Sequence, residues 1–238
     1  MRQIIQAFPL ILLLIPGILI GQKTKGNGQV TTLTHDMSYF SGIELNGAYE
    51  VEVIQGEDHQ VMITTDENLQ DLIQVTVQED VLVINTEDGL QDPEVLKLQI
   101  TSTKFENMEL NGAVSLYSNA PLVGKTLKVE VNGASSVNLA LAYDEIASSI
   151  SGAGSIEMAG NSEKIAFEVS GAGSIEALEL EAKHVLVDIS GTGSAKIHAS
   201  ESLIAGISGM GSVNYRGNPA IKKEVSGLGS IKPASSPE

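Results

Sequence analysis

Apolar and polar positions along this chain follow a pattern that returns about every 19 residues through its second half. The residue before each Asn-Gly or Ser-Gly pair is Leu45, Leu110, Val131, Ile150, Val169, Ile189, Ile207 or Val225, apolar every time. Two residues earlier stand Ile43, Met108, Val129, Phe167 and Val187. Between them runs a mostly acidic column: Glu44, Glu109, Glu130, Ser149, Glu168, Asp188, Gly206 and Glu224. Apolar, charged, apolar is the period-2 signature of a strand with one buried face. After each glycine phrase, Ile156, Ile175, Val213 and Ile231 continue the inward set, while Glu157, Glu176, Lys196, Asn214 and Lys232 continue the outward one.

The phrases are "SGAGSI" at 151 and again at 170, then "SGTGSA", "SGMGSV" and "SGLGSI". Their first glycines, with the one before them, are Gly133, Gly152, Gly171, Gly191, Gly209 and Gly227. A period this short is too small for a helix pair and fits one turn of a β-solenoid. Each phrase then reads as a corner between strands. Glycine supplies positive φ there, and stacked Asn or Ser side chains can hydrogen-bond up the column. The predicted fold is all-β, a right-handed parallel β-helix or β-solenoid with about 19-residue coils, less regular in the N-terminal half.

In that first half, "AYEVEVIQG", "HQVMITT", "IQVTVQEDVLVINTEDG" and "VLKLQIT" alternate like strands, with turns at Gly56, Asp80 and residues 87–89. Residues 66–74 read as a short helix or loose coil. The 65-residue gap from Gly47 to Gly112 equals about three further periods. About ten coils at strand spacing predict a rod roughly 45 Å long. A separate N-terminal β-sandwich is the competing organisation.

Residues 1–21 change the picture of where the chain works. Arg2 precedes an apolar run from Ile4 to Ile20, broken by Pro9 and Pro16, and the small Gly21 follows. This is the pattern of a cleaved signal peptide, and the run is short for a membrane span. The expected organisation is a signal peptide over 1–21, a flexible segment over 22–39, one solenoid domain over 40–232 and a tail over 233–238. The expected location is exported: periplasm, outer surface or extracellular. No transmembrane segment is expected once the leader is removed.

Composition narrows the chemistry. The chain has 238 residues, no Cys and no Trp, so an exported domain must hold together by packing and hydrogen bonds. Its formal net charge is -16, which repels nucleic acid and favours cations or basic partners. "GAGSIE" lacks the third glycine and the helix of a dinucleotide loop. "NAPLVGKT" lacks the first glycine of a phosphate loop and runs into a strand. No phrase carries the Asp of a calcium-binding nonapeptide repeat. His35, His59, His184 and His198 form no zinc spacing.

The acidic column is the weak metal candidate. Stacked coils would put Glu109 beside Glu130 and Glu168 beside Asp188. Such neighbours repel. Either lysines offset them, or they fan into solvent and discourage rod pairing, or a divalent cation sits between them.

The stretch "FSGIELNGAYEVEVIQG", together with the later "SGAGSI" phrases, resembles the DUF2807 family, the auto-transporter adhesin head GIN domain. The resemblance covers roughly residues 40–225. It implies a β-helical fold, no established biochemical activity and an exported protein of Bacteroidetes type.

The residues point to a non-enzymatic exported solenoid, a binding, adhesion or structural module of the cell envelope, with no cofactor and an unknown protein or glycan partner at the cell surface. The alternatives are a carbohydrate-active enzyme on a β-helix and an envelope sensor or partner subunit. Sugar cleavage uses paired carboxylates, but Tyr39, Tyr49, Tyr117, Tyr143 and Tyr215 share no column and build no sugar platform.

Overall fold

The computed structural model describes residues 23–87 and 90–234. The leader, the last four residues and part of the expected 87–89 turn lie outside the described residues. Among the described residues, no helix is long and apolar enough to cross a membrane.

The chain is a β-solenoid of about 7 turns with coils about 19 residues apart. Strands Ser136–Ile150, Ser155–Val169, Ser174–Ile189 and Ser194–Gly209 each run 15 or 16 residues around most of a coil. Each pairs in parallel with the next. Alternation carries the apolar set inward, so Val131, Ile150, Val169, Ile189 and Ile207 are all at most 3% exposed. Consecutive exposed residues, Asp144–Glu145, Glu163–Lys164 and Lys183–His184, mark a second, glycine-free corner.

The glycine corners stack directly. A Cβ added at Gly133, Gly152, Gly171, Gly191 or Gly209 would fall inside the carbonyl oxygen of the glycine one coil earlier. That same carbonyl accepts the amide following the next glycine: Ala153 N–H to Gly133 at 3.1 Å, Ala172 N–H to Gly152 at 3.0 Å. Close backbone approach, not positive φ, is therefore what demands glycine in the middle coils. Only Gly209 and Gly227 of the six also have left-handed φ, at 142° and 127°. The second glycine of each phrase has its own reason. A Cβ at Gly154 would meet Val131 Cγ1 at 2.6 Å, and one at Gly173 would meet Ile150 Cγ2 at 2.7 Å. It is the seat for the β-branched residue of the preceding coil.

Uneven spacing is absorbed away from these corners. Glu157 pairs with Glu176 but Ala159 with Glu179, so the coil between Gly171 and Gly191 bulges by one residue. The next coil takes up the shift between Ala177 and Glu181.

The coil count corrects the ten-coil expectation. Gly112 stacks directly on Gly47, so the 65-position gap between them holds no three intervening coils. The chain instead leaves after Glu50–Gln55 and builds the N-terminal end. Val81–Thr86 and Leu96–Ser102 form one coil on the outer side of Gly42–Gly47 and Glu50–Gln55. Asn107–Gly112 and Ser115–Tyr117 stack on the inner side. Antiparallel strands then close the end. Ile73–Gln78 pairs with Val81–Thr86 through a hairpin whose turn residues Glu79 and Asp80 both have positive φ. Gln60–Asp66 pairs with Leu96–Ser102. The strands join the body's sheet rather than forming a separate sandwich.

Residues 66–74 contain one 3-10 helix, Glu67–Leu72, whose Leu69 is fully buried. Within the leading segment expected to be flexible, Val30–Asp36 is a strand paired antiparallel with Gln60–Asp66. Its physical reason is the open edge of that strand, which the Thr-rich segment covers. Buried Asp66 ties this end together by accepting the amides of Gly28 and, at 2.8 Å, Glu94.

Candidate functional site

The face leading into each glycine corner presents parallel outward rows. Nearest the corner, Asn85, Asn46, Asn111 and Asn132 form a hydrogen-bonded ladder, in which Asn46, Asn111 and Asn132 each donate an amide N–H to the side-chain oxygen of the Asn before it at 2.8–2.9 Å. Asn46 and Asn111 also donate to Glu44 and Glu109 of their own coils. An amide has two donors, so one serves the stack and one holds the adjacent carboxylate.

The acidic row comes next. Glu109 lies in register with Glu130, and Glu168 with Asp188, on neighbouring coils. Ser149 separates the two pairs. Lys128 binds Glu130 at 2.6 Å. Asp188 accepts only a long 3.3 Å bond from Ser190. Among the described residues, no group of three or more His, Asp or Glu is placed to hold a metal ion.

Beyond it runs a row that the sequence reading did not single out: Lys128, Ala147, Ala166, Leu186, Ile204 and Lys222, one per coil and in register. These positions point outward, yet the middle four are apolar. Leu186 is 47% exposed and Ile204 49%. The signal was available, since the row sits two residues before the acidic column in each period.

A farther row, Thr126, Glu145, Lys164, His184 and Ser202, forms the other rim. Lys164 binds Glu145 at 2.8 Å. That hydrogen bond holds the Lys164 ammonium above its ordinary pKa. Lys104 similarly holds the Glu106 carboxyl below its usual range, chiefly by a direct hydrogen bond.

The rims and floor enclose an open cavity of about 520 Å³ lined by Ala147, Ala166, Leu186, Ile204 and the second rim. A second, about 360 Å³, shares Ala147, Ala166 and Leu186 and reaches Glu168 and Asp188. They are two halves of one groove along the solenoid axis. A shallow, mostly apolar floor with a few polar rims is the general form of a binding cleft.

His184 Nδ1 lies 2.9 Å from Ser202 Oγ, and its Nε2 lies 3.9 Å from Glu201. The backbone at Ser202 is committed to ladder pairing with His184 on one side and Ala220 on the other. His198 pairs across to Glu181 rather than to His184.

Similar folds have been solved. A putative adhesin from Bacteroides fragilis is 24% identical, with a TM-score of 0.85, covering 89% of this chain and all of that one. A putative adhesin from Parabacteroides merdae is 26% identical, with a TM-score of 0.68, covering 90% of this chain and all of that one. A protein from Parabacteroides distasonis titled a putative lipid binding protein is 23% identical, with a TM-score of 0.74, over 90% of this chain and all of that one. No curated protein matches the sequence. The family model described as "Putative auto-transporter adhesin, head GIN domain" matches residues 39–219, from the strand Gly42–Gly47 through the groove and the corner glycines up to Gly209, and the chain belongs to that family, DUF2807.

Proposed function

We propose that this protein is a non-enzymatic binding module of the cell envelope that takes its ligand lengthwise along the groove. One observation carries the reading. On a surface otherwise rich in acidic side chains, the outward row Ala147, Ala166, Leu186 and Ile204 is apolar and stays uncovered. Contiguous exposed apolar surface rimmed by polar groups marks interaction sites. The adhesin and lipid-binding titles of similar structures agree with a binding role. A glycan is the poorer ligand, because the aromatic side chain that lines the groove, Phe167, points into the core and is buried, leaving no exposed ring for a sugar to stack on. The paired carboxylates, Glu109 with Glu130 and Glu168 with Asp188, act as charged rims. Export rests on residues 1–21 as a cleaved leader, with residues 40–232 as the working domain.

The test uses Nile red, an uncharged apolar dye. The protein should enhance its fluorescence. The double substitution Leu186→Ser and Ile204→Ser should remove most of the enhancement without lowering Tm, since both side chains are already half exposed. Equal enhancement by the variant would show that the floor is not the binding surface.

A further inference from the structure

The groove's own charges specify what should lie in it, an inference that rests on the reading just given. Lys128 is neutralised by Glu130 at 2.6 Å, Lys164 by Glu145 at 2.8 Å and Lys104 by Glu106 at 2.9 Å. Both lysines that line the groove, Lys128 and Lys164, are therefore already matched. Glu168 and Asp188 have no Lys or Arg within ion-pair distance among the described residues. They sit in register one strand spacing apart, about 4.8 Å. Like charges opposed at that distance disfavour each other. The next residue in the row is Gly206, so no side chain screens Asp188 on that side. Beside this notch lie the two large apolar floor residues, Leu186 and Ile204, each about half exposed.

We infer that the occupant is a basic, extended polypeptide segment. Its apolar side chains lie on Ala147, Ala166, Leu186 and Ile204, and a Lys or Arg faces Glu168 and Asp188. An arginine suits the site because its guanidinium fork reaches two acceptors at once. The floor spans three ladder steps, about 14 Å, the length of roughly four extended residues. The net charge of -16 steers such a cation in and repels an anionic headgroup. A phosphate-bearing lipid would place its charge against the two unmatched carboxylates.

The experiment is fluorescence anisotropy of the full protein with a labelled hexapeptide of alternating Leu and Arg. Its Leu and Glu counterpart and phosphatidylglycerol vesicles serve as the other arms. The Arg peptide should bind, and its affinity should fall steeply with added salt. Glu168→Gln with Asp188→Asn should weaken it about tenfold at unchanged Tm. Neutralising a remote pair, Glu157→Gln with Glu176→Gln on the face after the glycine corner, should change it by less than about twofold.

Equal loss from the remote pair would mean non-specific attraction and overturn the inference. So would equal binding of the Glu peptide, or vesicles that displace Nile red better than the Arg peptide does. In those cases the groove itself would still stand. If Leu186→Ser altered the binding of no probe, dye included, the groove reading would fall as well.

Discussion

The two ends of the solenoid are finished differently. At the N-terminal end the repeat stops, and antiparallel strands with a 3-10 turn close the core. Leu69 is fully buried there, and Asp66 is buried with its carboxylate satisfied by backbone amides. At the C-terminal end the repeat continues into the last described coil. Among the described residues, Ala220–Gly227 pairs only with the coil before it, and all eight of its residues are exposed. Ile221 and Val225 occupy the register positions of Leu203 and Ile207, which are buried, yet each is 42% exposed. A repeat fold gains stability mainly from the interface each coil makes with its neighbours. A coil with one neighbour has half of that. The contrast teaches that one set of sequence rules builds the body, while each end needs its own solution for the strand edges.

Glycine substitution should show the contrast most strongly. Gly171 and Gly227 face the same obstacle, the carbonyl of the previous corner glycine. Gly171→Ala has coils packed on both sides and cannot shift without breaking the stack. It should cost about 4 kcal/mol or more, the range of severe overpacking. Gly227→Ala lies in the last coil, which can fray. It should cost about 1 kcal/mol, despite its left-handed φ, because that coil is lost cheaply. Thermal melts of the two variants decide it. Equal losses would show that the open end is held as firmly as the body.

Truncating one apolar side chain at each end should give the next largest difference. Leu69→Ala removes a fully buried plug and should cost about 3 kcal/mol. Ile221→Ala removes a side chain already half in water and should cost under about 1 kcal/mol. Denaturant unfolding reads both, and a cost at Ile221 matching that at Leu69 would mean the open end is covered in solution.

The body was legible because its constraint repeats. Eight apolar residues before eight glycines can only fit one inward column, and the structure stacks them so. The Asn ladder followed from the same register. The reason for the glycines was only partly legible. Sequence offers two readings of a corner glycine, positive φ or close approach, and only the carbonyl beneath each one distinguishes them. The N-terminal end was not legible as a topology. Gly47 and Gly112 are neighbours although 65 positions apart in the chain, and a gap equal to three periods imitates three coils. Nothing in "QVMITT" or "VLKLQIT" states that one strand runs antiparallel to the other. The groove lay in plain view. Its signal is an outward row without charge, from Ala147 to Ile204, which differs from the acidic column only by what it lacks.

The smallest effect on stability should come with the clearest effect on assembly, at Lys223. This residue stands in register over Ala205, which is buried, and so takes an inward position on a strand whose outer edge has no partner among the described residues. An inward charge on an edge is a known way of blocking edge-to-edge pairing. In an antiparallel contact of two such ends centred on Lys223, Ile221 would meet Val225 and Lys222 would meet Glu224. Both matches favour association, and the two facing Lys223 ammoniums oppose it. Lys223→Val removes the opposition and keeps the matches. It should leave Tm within about 2 °C at low concentration, as for most exposed substitutions. It should also convert a monomer into a concentration-dependent dimer in sedimentation velocity. Lys222→Val, on the outward side of the same strand, is the control and should stay monomeric. If both variants stay monomeric, or if the unaltered protein already dimerises through this edge, Lys223 is not what keeps the open end apart.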